Sequence, residues 1–211
     1  MDKLESIGDE IRHHWEDKNS ARDGALQQSR SLVRYCSKSI RATHRDERDE
    51  AKSLLDEAKE IVATLRESLE RYPDLYHAGY TQSALKEFAE ATIVYRLVGG
   101  EPLPHPDELD IGDAPYMGGL AETAGELRRR ALDLMRRENF TEAERQLGNM
   151  DNIYSLLVTM DFPDAITGNL RRTTDMVRGV TERTRGDLTT SFRQHELIQA
   201  LEAVEKKLDH E

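Results

Sequence analysis

"LKEFAEATIVYRLV", residues 85–98, decides the fold, because it has the apolar content of a buried helix yet carries Glu87 and Glu90 in its middle. Steps of three and four residues return to one helical face, so Glu90 falls among Ala91, Val94 and Leu97, with Glu87 beside it. A buried carboxylate without compensation is expensive, so such a pair must be matched to a cation, a metal or a proton. Gly99 and Gly100 then end the helix.

Working outward, the same helical period fills the chain and no strand-like alternation occurs. The prediction is an all-α protein of seven helices in one domain spanning residues 1–211. The first runs from about Asp2 to Asp46, with Asn19 and Ser20 as a point of interruption, and the second from Glu47 to Tyr72, stopping before Pro73. The third covers Gln82 to Val98. "EPLPHPDELDIGDAP" follows as a loop, with three prolines in its first six residues. Four further helices are expected at Ala114 to Glu138, Thr141 to Met160, Pro163 to Arg185 and Leu188 to Asp209.

Charged residues make up 34% of the 211 and aromatic residues 6%, a balance that favours helix. Eight Lys against 22 Arg, beside 41 Asp and Glu, is the composition of an acidic, salt-adapted proteome. Cys36 is the one cysteine, which excludes an internal disulfide and fits a reducing cytoplasm. The first twenty residues contain Asp2, Glu5, Asp9 and Glu10 and no apolar core, unlike a secretory signal. No apolar run nears the roughly 20 residues of a membrane span. A cytoplasmic protein with no membrane partner is expected.

A net charge of −11 argues against a polyanion partner unless the basic residues are gathered in one place. They are. In "SRSLVRYCSKSIRATHRDER", Arg30, Arg34, Lys38, Arg41, Arg45 and Arg48 recur at steps of four, four, three, four and three. At about 100° per residue they fall within an arc of roughly 80°. Such a stripe is either a solvated face paired with neighbouring acids or a phosphate-binding face. Guanidinium groups grip phosphate bidentately, which suits backbone contact without sequence readout.

A second acidic pair, Glu122 and Glu126 in "MGGLAETAGELRRR", lies one turn apart on a face shared with Arg129 and Asp133. Taken alone it reads as solvated. Carboxylates from two neighbouring helices, however, can hold Mg²⁺ or Mn²⁺ with positions left for water and a phosphate oxygen. Glu10 and His13 form a single E-x-x-H, whereas a di-iron site needs that motif twice. Cys36 reads as a small core residue. There is no Walker loop, paired-glycine nucleotide fingerprint, zinc spacing or nucleophile elbow.

Four stretches, "SRSLVRYCSKSIRATHR", "ALKEFAEATIVYRLV", "APYMGGLAETAGELRR" and "NLRRTTDMVRGVTERTRGDL", resemble the translin family in content, order and spacing. The resemblance implies a seven-helix domain that assembles into a hollow particle of about eight subunits and takes up single-stranded RNA or DNA. In that family, translin binds nucleic acid and translin-associated factor X supplies the acidic residues of a Mg²⁺-dependent endoribonuclease. Its E-x-x-E is matched here by Glu87 and Glu90. Its Asp-x-x-x-Glu is matched by Glu122 and Glu126, with Glu at the first position. The chain thus resembles the catalytic branch, as an archaeal-type member. The implied roles are Glu87, Glu90, Glu122 and Glu126 as catalytic metal ligands for Mg²⁺ or Mn²⁺. Arg30, Arg34, Lys38, Arg41 and Arg45 are the implied phosphate contacts. The implied partners are single-stranded RNA or DNA and further subunits, identical or translin-like. The alternative reading is a single-strand-binding protein without catalysis.

Overall fold

The computed structural model describes residues 2–208. It is all-α, and no strand occurs among the described residues. Six long helices are α1 (Asp2–His44), α2 (Arg48–Ser68), α4 (Gly79–Val98), α6 (Asp113–Arg136), α7 (Phe140–Leu157) and α9 (Leu170–Leu208). Three single turns sit in the connections: α3 (Pro73–Tyr76), α5 (Pro106–Leu109) and α8 (Asp164–Thr167).

The expected seven helices therefore become nine among the described residues, for two physical reasons. Short turns form where proline starts them. Pro73 opens α3 after a non-helical Tyr72, and Pro106 opens α5 behind an extended His105 that makes a capping box with Glu108. Conversely, the break expected between Arg185 and Leu188 does not occur, and α9 runs through Gly186. A glycine inside a helix costs only about 1 kcal/mol relative to alanine. Burial of Leu188 against Ala131, Leu134, Ala143 and Leu147 outweighs that. The hydroxyl of Thr184 also folds back on the Val180 carbonyl at 2.8 Å, within the helix. Nor is α1 interrupted at Asn19 and Ser20. The predicted end at Asp209 lies outside the described residues.

Chain contacts group into two compact units, residues 2–95 with 104–119, and residues 96–103 with 120–208. In the first, α1 and α2 pack as an antiparallel pair joined by a turn in which Asp46 takes a left-handed φ of 64°. Leu32, Cys36 and Ile40 of α1 are buried, as are Ala51, Leu55, Ala58, Val62 and Leu65 of α2. The Ser39 hydroxyl donates to the Ala51 carbonyl at 2.9 Å, which satisfies a buried polar group. Arg48 donates to the Tyr95 carbonyl at 2.6 Å and lies 3.6 Å from the centre of the Tyr95 ring.

In the second unit α7 packs against α9. Arg145 of α7 donates to the Leu97 and Val98 carbonyls at 3.0 and 3.1 Å, so it occupies the orphan acceptors at the end of α4. Beyond Leu188, α9 exposes Leu197, Leu201, Val204 and Leu208 at steps of four, three and four. Among the described residues no helix is long and apolar enough to cross a membrane.

Candidate metal centre and phosphate-binding face

The centre is built on α4 and α6. In α4, Leu85, Phe88, Ala89, Ala91, Ile93 and Val94 are buried, and the same helix carries Glu90 to 8% exposure and Glu87 to half-burial. Gly119 of α6 lies directly against this helix. A Cβ built there would stand 2.6 Å from the Ala89 Cβ, 2.6 Å from the Lys86 carbonyl oxygen and 2.7 Å from the Glu90 nitrogen. No side chain fits in that space, so only glycine permits the approach. Glu122 follows one turn later on α6. The carboxylate oxygens of Glu87, Glu90 and Glu122 lie within 4.8 Å of one another.

Three convergent carboxylates form a donor set for a hard divalent cation. Around Mg²⁺ at 2.0–2.1 Å, neighbouring ligand oxygens stand about 3 Å apart and opposite ones about 4.2 Å. The limit of 4.8 Å on the spread of the cluster is of the same order as those spacings. Cys36 of α1 is close enough to feel the charges of Glu87 and Glu90. Burial first, and then those two charges, push its thiol far above the ordinary range. Cys36 does not belong to the group, whose three ligands are all carboxylates, and an all-oxygen set fits Mg²⁺ or Mn²⁺ better than Zn²⁺.

Of the four glutamates singled out in the sequence, Glu87, Glu90 and Glu122 come together and Glu126 does not join them. Glu126 is half-buried one turn further along α6, 3.9 Å from the Arg129 guanidinium. Gly119 was readable in "MGGL" as a helical glycine without a turn to explain it.

Arg30, Arg34, Lys38 and Arg41 are exposed along α1. Arg41 is steadied by donating to the Ser37 carbonyl at 3.0 Å. Arg45 stands past the end of the helix, with its Nε 2.6 Å from Glu47, and Glu50 lies 3.5 Å from its guanidinium. Its hydrogen bond to Glu47 holds the Glu47 carboxyl below the usual range. The stripe thus has four side chains presented on the helix and a fifth engaged by acids. Arg48 is committed to Tyr95.

No protein-family model matches the chain. An uncharacterised protein of Methanocaldococcus jannaschii is 36% identical over 196 residues, covering 92% of this chain and 86% of its own length. Two structures of AfC3PO, one of them a complex with duplex RNA, superpose with a TM-score of 0.82 at 30% identity. They cover 88% of this chain and 96% and 97% of theirs. Apo-NeC3PO shares the fold, with a TM-score of 0.80 at 19% identity over 87% of this chain and 96% of its own. Motif order, helical architecture and relatives that span most of its length agree that this chain belongs to the translin family.

Proposed function

We propose that the chain is an RNA-binding, Mg²⁺- or Mn²⁺-dependent endoribonuclease. The observation that carries this reading is the convergence of Glu87, Glu90 and Glu122. A divalent ion held there supplies Lewis acidity to a phosphodiester oxygen and lowers the pKa of bound water. Glu90, buried, anchors the site to α4, while half-buried Glu87 and Glu122 leave a solvent side open to a phosphate. Glu126 is assigned to orienting the attacking water. Arg30, Arg34, Lys38 and Arg41 hold backbone phosphates, and Arg45 joins them by exchanging Glu47 for a phosphate oxygen.

The duplex RNA bound by AfC3PO supports RNA as the ligand class, and single strands, which bend, are the preferred substrate. Self-assembly belongs to the same reading and is supported by the exposed Leu197, Leu201, Val204 and Leu208 stripe. The test is end-labelled single-stranded and duplex RNA incubated with Mg²⁺ or with EDTA, beside Glu90→Gln. Metal-dependent cleavage of single strands that the variant loses while still binding RNA is the expected result. Binding without cleavage by either protein would reduce the function to a single-strand-binding protein.

A further inference from the structure

We infer that a cavity floored by aromatic rings, where the start of α7 meets α9, receives an unpaired base of the bound RNA. The inference rests on the RNA-binding reading above and lies wholly within the second compact unit.

Leu188, Phe192 and His195 recur on α9 at steps of four and three, so they share one helical face. That face packs against Phe140, the first residue of α7. The Phe140 and Phe192 rings stand edge to face, 5.6 Å apart at 79°, and the His195 ring lies 5.1 Å from Phe140. Such a cluster normally closes over a core. Here Phe192 keeps 43% of its surface exposed, and beside it opens a cavity of about 510 Å³ floored by Phe140, Leu188 and Phe192. Small-ligand pockets span roughly 300–1,000 Å³, so the space is large enough for a base.

Charge selects the occupant. Glu144, Arg193 and Glu196 stand in the cavity wall, two carboxylates to one guanidinium, so a phosphate would meet net repulsion. A nucleobase suits the site better. Its face stacks on an aromatic ring, while its edge offers amino groups to carboxylates and acceptor atoms to a guanidinium. The sugar–phosphate backbone stays outside. A base within a duplex would first have to leave its stack and its partner, so an unpaired base enters at less cost.

The cavity is compatible with self-assembly through α9. At about 100° per residue, Phe192 lies roughly 120–180° around the helix from Leu197, Leu201, Val204 and Leu208. Pairing through that stripe uses the opposite side of α9.

The test compares two labelled RNA strands of equal length by fluorescence anisotropy in EDTA, which prevents metal-dependent cleavage. One is oligo(A); the other consists of abasic riboses and keeps every phosphate. Wild type should bind oligo(A) more tightly. Phe192→Leu keeps an apolar side chain and removes the ring, so it should weaken oligo(A) binding about fivefold or more, the scale of one lost base–aromatic stack. Its affinity for the abasic strand and the salt slopes of both should stay as in wild type. Phe192→Trp should bind oligo(A) as wild type does, and Thr189→Met, which fills the cavity from its α9 wall, should act like Phe192→Leu. Equal weakening on both strands, or on neither, would make Phe192 a structural residue and overturn the inference while RNA binding stands. Wild-type protein that binds neither strand would overturn the RNA-binding reading as well.

Discussion

Arg145→Met removes the clasp that α7 places on the end of α4, the helix that carries Glu87 and Glu90. The guanidinium donates to two α4 carbonyls, at 3.0 and 3.1 Å, and its Nε donates to Glu142 at 2.8 Å. A hydrogen bond from a charged donor contributes about 1.5–3 kcal/mol when well buried. The Arg145 side chain is 38% exposed, so water can replace part of what is lost. Halving the sum for two carbonyls gives a destabilisation of about 2 kcal/mol. With a urea m-value of about 2 kcal/mol per molar, the midpoint falls by about 1 M.

The pH dependence adds a sign. Arg145, then Gln146, hold the Glu142 carboxyl below its usual range. A depressed carboxyl contributes stability above its unfolded value, near 4.3, and loses it as the pH falls through the lower folded value. Urea midpoints of wild type and variant should therefore run parallel from pH 7 to about 5 and converge partly below, since the carbonyl bonds do not titrate. A midpoint shift under about 0.2 M at pH 7, or a gap that widens in acid, would refute the clasp.

Arg34→Glu combined with Arg41→Glu should weaken RNA binding in a gel-shift assay. It should also flatten the plot of log K against log salt by about 1.4, at roughly 0.7 per single-strand phosphate contact. An unchanged slope would remove the α1 face from the binding surface. Cys36 is fully buried with a raised pKa, so at pH 8 a thiol reagent should label it only at the rate of unfolding. Because the shift is upward, its contribution to stability is full below the ordinary thiol pKa, near 8.5, and is lost as the pH rises beyond it. Cys36→Ala should accordingly lose less stability than wild type between pH 8 and 10 in urea titrations.

The long helices were legible because each buries one face, and α4 is the clearest case: its apolar period, followed by Gly99 and Gly100, puts its end at Val98 in both sequence and structure. Glu87 and Glu90 stood out for the same reason, as charges inside an apolar period. Glu122 did not, because the residues three and four away on its own helix are Gly118, Gly119, Gly125 and Glu126, so no apolar period surrounds it. Gly119, three residues earlier, lies close against α4, a tertiary event that leaves only a small residue as its trace. The continuity of α9 through Gly186 was hidden likewise, since burial of Leu188 overrides the local preference of the residues before it. Arg45 and Arg48 fit the periodicity of the basic stripe. Periodicity cannot reveal that one lies past the helix end beside Glu47 and the other lies on Tyr95.

The exposed run from Arg30 to Arg41 belongs to a chain with eleven more negative charges than positive ones. Its field therefore reverses within a short distance of α1, since the Debye length is about 8 Å at physiological salt. A polyanion would be attracted as it approaches along that helix and repelled by the net charge of the chain as a whole. Encounter itself would then sort orientations, and chance adhesion of nucleic acid to other surfaces would be suppressed. At high salt the repulsive background fades together with the attraction, so occupancy would depend more on how many phosphates bind at once than on long-range capture.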